Sequence, residues 1–141
     1  MTDRIVISVP AKAAYLKHLR DWCGAIMADA GHDRRRTDDF LIALTEACAN
    51  TIEHSLKLDD SKSLILEMVV YDERIEACIR NFCRERDLPK IKPRSLDDVR
   101  PRGLGTHFIR KTADRIDFVP SDEGGVCLVL TKYRERRKAT R

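Results

Sequence analysis

No apolar run in these 141 residues approaches the roughly 20 that a membrane-spanning helix needs, so no membrane segment is expected. A secretory leader is not expected either, because Met1-Thr2-Asp3-Arg4 runs straight into a strand-like stretch. The five cysteines, Cys23, Cys48, Cys78, Cys83 and Cys127, are odd in number and include no C-x-x-C pair. That points away from a zinc cage and from a disulfide framework, and makes a reducing cytoplasm the expected location. There is no phosphate loop of the G-x-x-x-x-G-K-[ST] kind, no internal repeat and no linker. The chain therefore reads as one domain, large enough for a real core. A nucleic-acid face would spread basic residues and aromatics over a folded surface. Here the net charge of +4 gathers at one end: residues 132–141 hold six basic residues and one glutamate. The rest is slightly acidic. No direct nucleic-acid contact is expected, and the basic tail over 134–141 reads as a solubilising, frayed end.

A more local shortage marks the middle of the chain. Between Asp38 and Leu56 there is neither Lys nor Arg. The stretch 37–56 still has helical periodicity, with Leu41, Leu44, Cys48, Ile52 and Leu56 on one face. Thr37 or Asp38 is suited to cap its start, and the acidic first turn suits the helix dipole. Where a surface helix usually carries basic residues, this one carries Glu46 and Asn50, four apart and so neighbours. Glu53 and His54 follow one turn on. A hard cation such as Mg²⁺ takes oxygen ligands and keeps several waters, a demand that Glu46 and Asn50 meet. Glu46 is also placed to orient or deprotonate a nucleophile. The same spacing equally fits an ordinary solvated helix face.

Around this helix the pattern alternates between sheet and helix. Residues 4–10 form a short β-branched strand that stops at Pro10, which suits an edge. A helix over 13–30 has Tyr15, Leu16, Leu19, Cys23, Ile26 and Met27 as its apolar stripe, and Gly31 ends it. Residues 32–36 read as a charged connector. Strands over 63–71 and 75–82 make a hairpin, and 115–120 with 125–133 make a second. Between the hairpins, 83–101 is a proline-rich stretch of the kind that forms a lid or stays disordered. A helix then opens near residue 102, with Phe108 and Ile109 as core candidates. The expected class is α+β: a two-layer α/β sandwich, its mixed, mostly antiparallel sheet carrying helices on one face.

Gly103-Leu104-Gly105 stands where a helix begins. Glycines let backbone approach a ligand, and free amides at a helix start hold phosphate. Beside a carboxylate–carboxamide helix and a lid, this supplies the parts that a nucleoside triphosphate needs.

Two segments carry a resemblance. Leu44-Thr45-Glu46-Ala47-Cys48-Ala49-Asn50-Thr51-Ile52-Glu53-His54 resembles the asparagine box of the GHKL, or Bergerat-fold, ATPases. It is most similar to that of the anti-sigma-factor serine kinases of the RsbW and SpoIIAB type. Arg102-Gly103-Leu104-Gly105-Thr106-His107-Phe108-Ile109 resembles their second glycine box. The likeness implies the histidine-kinase-like ATPase fold over 1–133, with ATP and Mg²⁺ as cofactors. It implies Asn50 as Mg²⁺ ligand, Glu46 as general base, and Arg102, Gly103, Leu104, Gly105 and Thr106 around the phosphates, with Glu53 and His54 at the nucleotide.

One segment departs from the pattern. The first glycine box reads Asp-x-Gly-x-Gly in the family, its aspartate bonding the adenine amino group; here it reads Asn81-Phe82-Cys83-Arg84-Glu85. Asn81 still offers a carbonyl acceptor. It loses the charge-assisted bond, worth about 1.5–3 kcal/mol against about 1 for a neutral one. Cys83 puts a side chain where the family has bare backbone near the base.

Two functions stay open on these residues. One is an anti-sigma factor and ATP-dependent serine kinase acting on an anti-anti-sigma partner with a STAS domain. The other is a partner-switching binding module that has kept the fold and lost catalysis. In either case the resemblance implies a homodimer whose first strand and helix contact the sigma factor. Arg20, off the apolar stripe of its helix, is the candidate anchor; a solvated helix residue is the plainer alternative.

Overall fold

Residues 2–84, 112–121 and 124–134 are described by the computed structural model of the chain. The proline-rich stretch beyond Arg84, the glycine segment (Arg102, Gly103, Leu104, Gly105, Thr106), Phe108, Ile109 and the tail beyond Arg134 lie outside them.

The first strand, β1 (Asp3–Pro10), is followed by a 3₁₀ turn (Ala13–Tyr15) and by α1 (Leu16–Asp29). Helix α2 (Arg34–Asn50) continues into a π turn (Thr51–Ser55). Two further strands, β2 (Ser63–Val70) and β3 (Arg74–Arg84), precede β4 (Arg115–Pro120) and β5 (Gly125–Tyr133). The strands form one sheet in the order β1-β2-β3-β5-β4. The sheet was expected to be mixed; every pairing among the described strands is antiparallel. β1 lies at an edge, the place that suits its terminal proline.

Register explains which side is buried. Ile7, Leu66, Ile79, Leu128 and Phe118 line up across all five strands, as do Ile5, Met68, Ala77, Leu130 and Ile116. These rows belong to the same core as Leu19, Cys23 and Met27 of α1 and Phe40, Leu44, Ala47 and Cys48 of α2. The two helices therefore cover one face of the sheet, as a period of two in the strands and 3.6 in the helices requires. Full burial of each large side chain contributes about 1.5–3 kcal/mol.

Three boundaries differ from the sequence expectation. Helix α2 starts at Arg34, so the charged connector is its first turn. Its cap is Asp33, extended at φ −72° and ψ 156°, whose carboxylate accepts from the Arg36 backbone N–H at 2.9 Å. Thr37, expected at the start, is buried one turn in, and its hydroxyl has no partner among the described residues. The helix expected to run evenly to Leu56 widens after Asn50. There the Thr51 hydroxyl donates back to the Ala47 carbonyl at 2.8 Å, a bond of the kind that bends helices, and Leu56 N–H reaches the carbonyl of Thr51, five residues back, at 2.9 Å. Lastly, β3 runs through Cys83 and Arg84, which were assigned to the loop.

Candidate functional site

The carboxyl end of α2 is where the sequence candidates meet. Glu46 and Asn50 lie one turn apart in unbroken helix and are both half-buried. The chain then passes into the π turn, a rare local geometry often found at functional sites. Its wider turn takes Glu53 and His54 off the Glu46–Asn50 line. Both are well exposed, with His54 Nε2 3.9 Å from Glu53 Oε2. Lys57 and Leu58, in the left-handed region at φ 57° and 59°, end the segment.

A tertiary contact brings the end of β3 to this place. The Ser55 hydroxyl donates to the Phe82 carbonyl, fixing the π turn against the strand. Immediately before Phe82 the pairing of β3 with β5 slips, between Ile79 and Cys83. Asn81 sits in that irregularity at φ 56° and is exposed. Asparagine tolerates the left-handed region better than most residues, so its presence has a backbone reason beside any contact with a ligand. Its Oδ1 lies 2.7 Å from where a Cβ on Gly125 would stand. Gly125 is therefore the strand residue that leaves room for the Asn81 side chain. Phe82 and Cys83 are both buried, and the Phe82 ring lies tilted at 47° against that of Phe118 with centroids 6.2 Å apart.

Glu46, Asn50, Asn81 and Cys83 thus lie on two elements joined by the Ser55–Phe82 contact. Arg20 is exposed on α1 and stands apart from them. Arg102, Gly103, Leu104, Gly105 and Thr106 lie outside the described residues. Ser55 and Gly125 were not singled out in the sequence. A lone hydroxyl at the end of a helical pattern carries no periodic signal, and a strand's first glycine looks like turn chemistry.

The metal was tested on the donors present. Among the described residues, no three His, Cys, Asp or Glu side chains are grouped as a dedicated cage would be. Mg²⁺ commonly binds through one or two protein oxygens plus phosphate and water. The half-buried carboxamide of Asn50, one helical turn from the Glu46 carboxylate, fits that mode.

With this geometry in hand, comparison with known proteins is decisive for the family. The model of the histidine kinase-like ATPase domain matches residues 9–132. The chain belongs to that family. Curated relatives of this ATPase domain include the serine-protein kinase RsbW of Listeria monocytogenes serotype 4a (strain HCC23), 28% identical over 94% of this chain and 88% of its own length. The serine-protein kinase RsbW of Bacillus subtilis (strain 168) is 24% identical over 93% of this chain and 86% of its own. Among solved structures, the RsbU and RsbW domains of Rv1364c from Mycobacterium tuberculosis superpose with a TM-score of 0.64 at 19% identity. That match covers 99% of this chain and 34% of the other; at this identity it speaks for the fold. The histidine kinase-like ATPase fold and the kinship to serine-protein kinases agree with what the asparagine box implies.

Proposed function

We propose that this chain is an ATP-dependent protein-serine kinase and anti-sigma factor, with its nucleotide at the carboxyl end of α2. The observation that carries the reading is the pairing of Glu46 with Asn50, one turn apart and half-buried at a helix end, in a chain of this ATPase family. Bound Mg²⁺-ATP supplies the phosphoryl group and the neutralisation of its charge. Asn50 holds the metal through its carboxamide oxygen. Glu46 takes the proton from the attacking serine hydroxyl. Asn81 borders the base, and Glu53, His54 and the segment Arg102, Gly103, Leu104, Gly105 and Thr106 complete the nucleotide's surroundings. The serine belongs to a STAS-type anti-anti-sigma protein. The cytoplasmic kinase works as a homodimer that captures a sigma factor through β1 and α1.

The test is the melting temperature with and without Mg²⁺-ATP. A ligand bound only by the folded state at a hundred times its Kd contributes about 2.7 kcal/mol. Transfer of labelled phosphate to a STAS-domain protein tests the chemistry. A second reading is favoured by Asn81 and Cys83, which replace an aspartate and a glycine: a partner-switching module that binds without catalysis. No thermal shift at millimolar nucleotide would support that module over the kinase. Sigma-factor capture is tested with Arg20→Glu. Reversing an exposed charge leaves the core intact, and affinity for the sigma factor is expected to fall at least tenfold, about 1.4 kcal/mol.

A further inference from the structure

The structure sorts the five cysteines in a way their sequence spacing does not. Cys23, Cys48 and Cys83 are buried at 0%, 1% and 5% exposure. Cys78 and Cys127 are the two that solvent reaches. They lie on neighbouring strands. Cys78 of β3 stands opposite Val129 of β5, and Cys127 is two residues along β5 on the same face, a diagonal cross-strand pair. That face is the outer one, away from α1 and α2. The two thiols are near enough to interact, each side chain facing the other across the strand pair. The two accessible sulfurs are therefore also cross-strand neighbours, whereas the other neighbouring thiols, Cys23 and Cys48, are buried.

We propose that Cys78 and Cys127 form a redox-active dithiol, which a peroxide closes into an intramolecular disulfide between β3 and β5. In the first step a Cys127 thiolate attacks one peroxide oxygen, giving a sulfenic acid and hydroxide. In the second, the Cys78 sulfur attacks the Cys127 sulfur, loses its proton, and displaces the hydroxyl as water. Two thiols and one hydrogen peroxide thus become one disulfide and two waters, with two electrons passing from sulfur to oxygen. A dithiol reductant reverses the change.

The order follows from the surroundings of Cys78. Burial, the neighbouring Cys127 thiol and the Glu67 carboxylate push its thiol up to about 12, outweighing Arg80. Glu67 faces Cys78 directly from β2 and is held by Arg4 at 2.7 Å and Arg80 at 3.7 Å. The thiolate is the nucleophile, so Cys78 is the resolving sulfur.

A diagonal pair, typically about 7–8 Å apart, lies just beyond the usual disulfide span, so closure requires β3 and β5 to shift together and leaves a strained, easily reduced bond. The slip in pairing that begins after Ile79 gives β3 room to close the gap. Closure links residue 78 to residue 127 and restricts the unfolded chain between them.

The test is peroxide treatment of the whole protein, then denaturation, alkylation and mass spectrometry. Two of the five thiols should be lost to a product that stays a single chain without reductant. A non-reduced digest should yield one linked peptide pair carrying Cys78 and Cys127, and dithiothreitol should restore all thiols. Dimedone should label Cys127 in Cys78→Ser, while in Cys127→Ser Cys78 should stay a thiol over the same exposure. Five alkylatable thiols after peroxide, a link between chains, a link between another pair, or loss that dithiothreitol does not reverse would overturn the proposal. Labelling of Cys78 in Cys127→Ser would overturn the assigned order.

Discussion

At its amino end, α2 is tied to the far edge of the sheet. The Arg36 guanidinium meets Asp114 at 2.9 Å and donates to the Tyr133 carbonyl from Nη2 and Nε at 3.0 and 3.2 Å. Asp114 in turn accepts from the Tyr133 N–H at 2.9 Å and faces Lys132 Nζ at 3.5 Å. At its carboxyl end the same helix presents Glu46 and Asn50, which make no side-chain hydrogen bond among the described residues, and it loosens into a π turn fastened by Ser55. The amino end commits its Arg36 guanidinium to the sheet; the carboxyl end leaves the Glu46 carboxylate and the Asn50 carboxamide available. The difference teaches where a rigid helix is anchored and where it can afford chemistry, since a group already satisfied by the fold is poorly placed to serve a ligand.

The largest effect that would break this contrast is on catalysis. Glu46→Gln keeps the shape and removes the proton acceptor, so phosphoryl transfer should fall by about 10²–10⁴. The unfolding free energy and nucleotide affinity should hardly move. A rate equal to wild type would make Glu46 another structural residue and erase the difference between the ends.

The reciprocal change should act on stability. Arg36→Ala removes the guanidinium's hydrogen bonds to the Asp114 carboxylate and the Tyr133 carbonyl, and should cost about 2 kcal/mol in urea unfolding. Nucleotide affinity per folded molecule should stay close to wild type. An unchanged unfolding midpoint would show that the amino end is no more anchored than the carboxyl end.

A smaller effect concerns the carboxyl end's neighbour. Gly125→Ala places a methyl group against the Asn81 side chain, and should cost about 1 kcal/mol. In an Asn81→Gly background, where φ 56° suits glycine and Oδ1 is gone, that cost should vanish. Additive effects in the double mutant would separate the two sites.

The smallest effect is a pH slope at the anchored end. His32 is buried, and neither ring nitrogen has a partner among the described residues. Burial, then Arg36 and Arg134, lower its pKa below the ordinary 6.5, outweighing Asp33 and Asp114. The unfolded chain thus binds a proton near pH 6.5 that the native imidazole still refuses. His32 therefore removes stability as the pH falls below 6.5, at up to about 1.4 kcal/mol per unit, until the native ring also charges. His32→Leu should flatten that part of the profile measured by denaturant titration at pH 5.5 and 7.5. Equal slopes in wild type and variant would contradict the assignment.

What was legible in the sequence was what short-range pattern encodes. Alternation in Ile75, Ala77 and Ile79 marked a strand; the spacing of Leu41, Leu44, Cys48 and Ile52 marked a buried helical face. The local string from Glu46 to His54 marked the family. These signals work because side-chain direction repeats with the backbone's own period, so a dozen residues suffice to read them. Tertiary structure alone decided the rest. Arg36 looked like a loop charge because its partners are 78 and 97 residues away. Ser55 found Phe82 across 27 residues, and that contact, with the Thr51 hydroxyl, turned the expected α-helix end into a π turn. Gly125 mattered only once strand pairing set it beneath Asn81. Cys78 and Cys127 became a pair only through the register of β3 on β5. Each of these depends on closing a long loop, and a contact made that way leaves no periodic trace in the residues near either end.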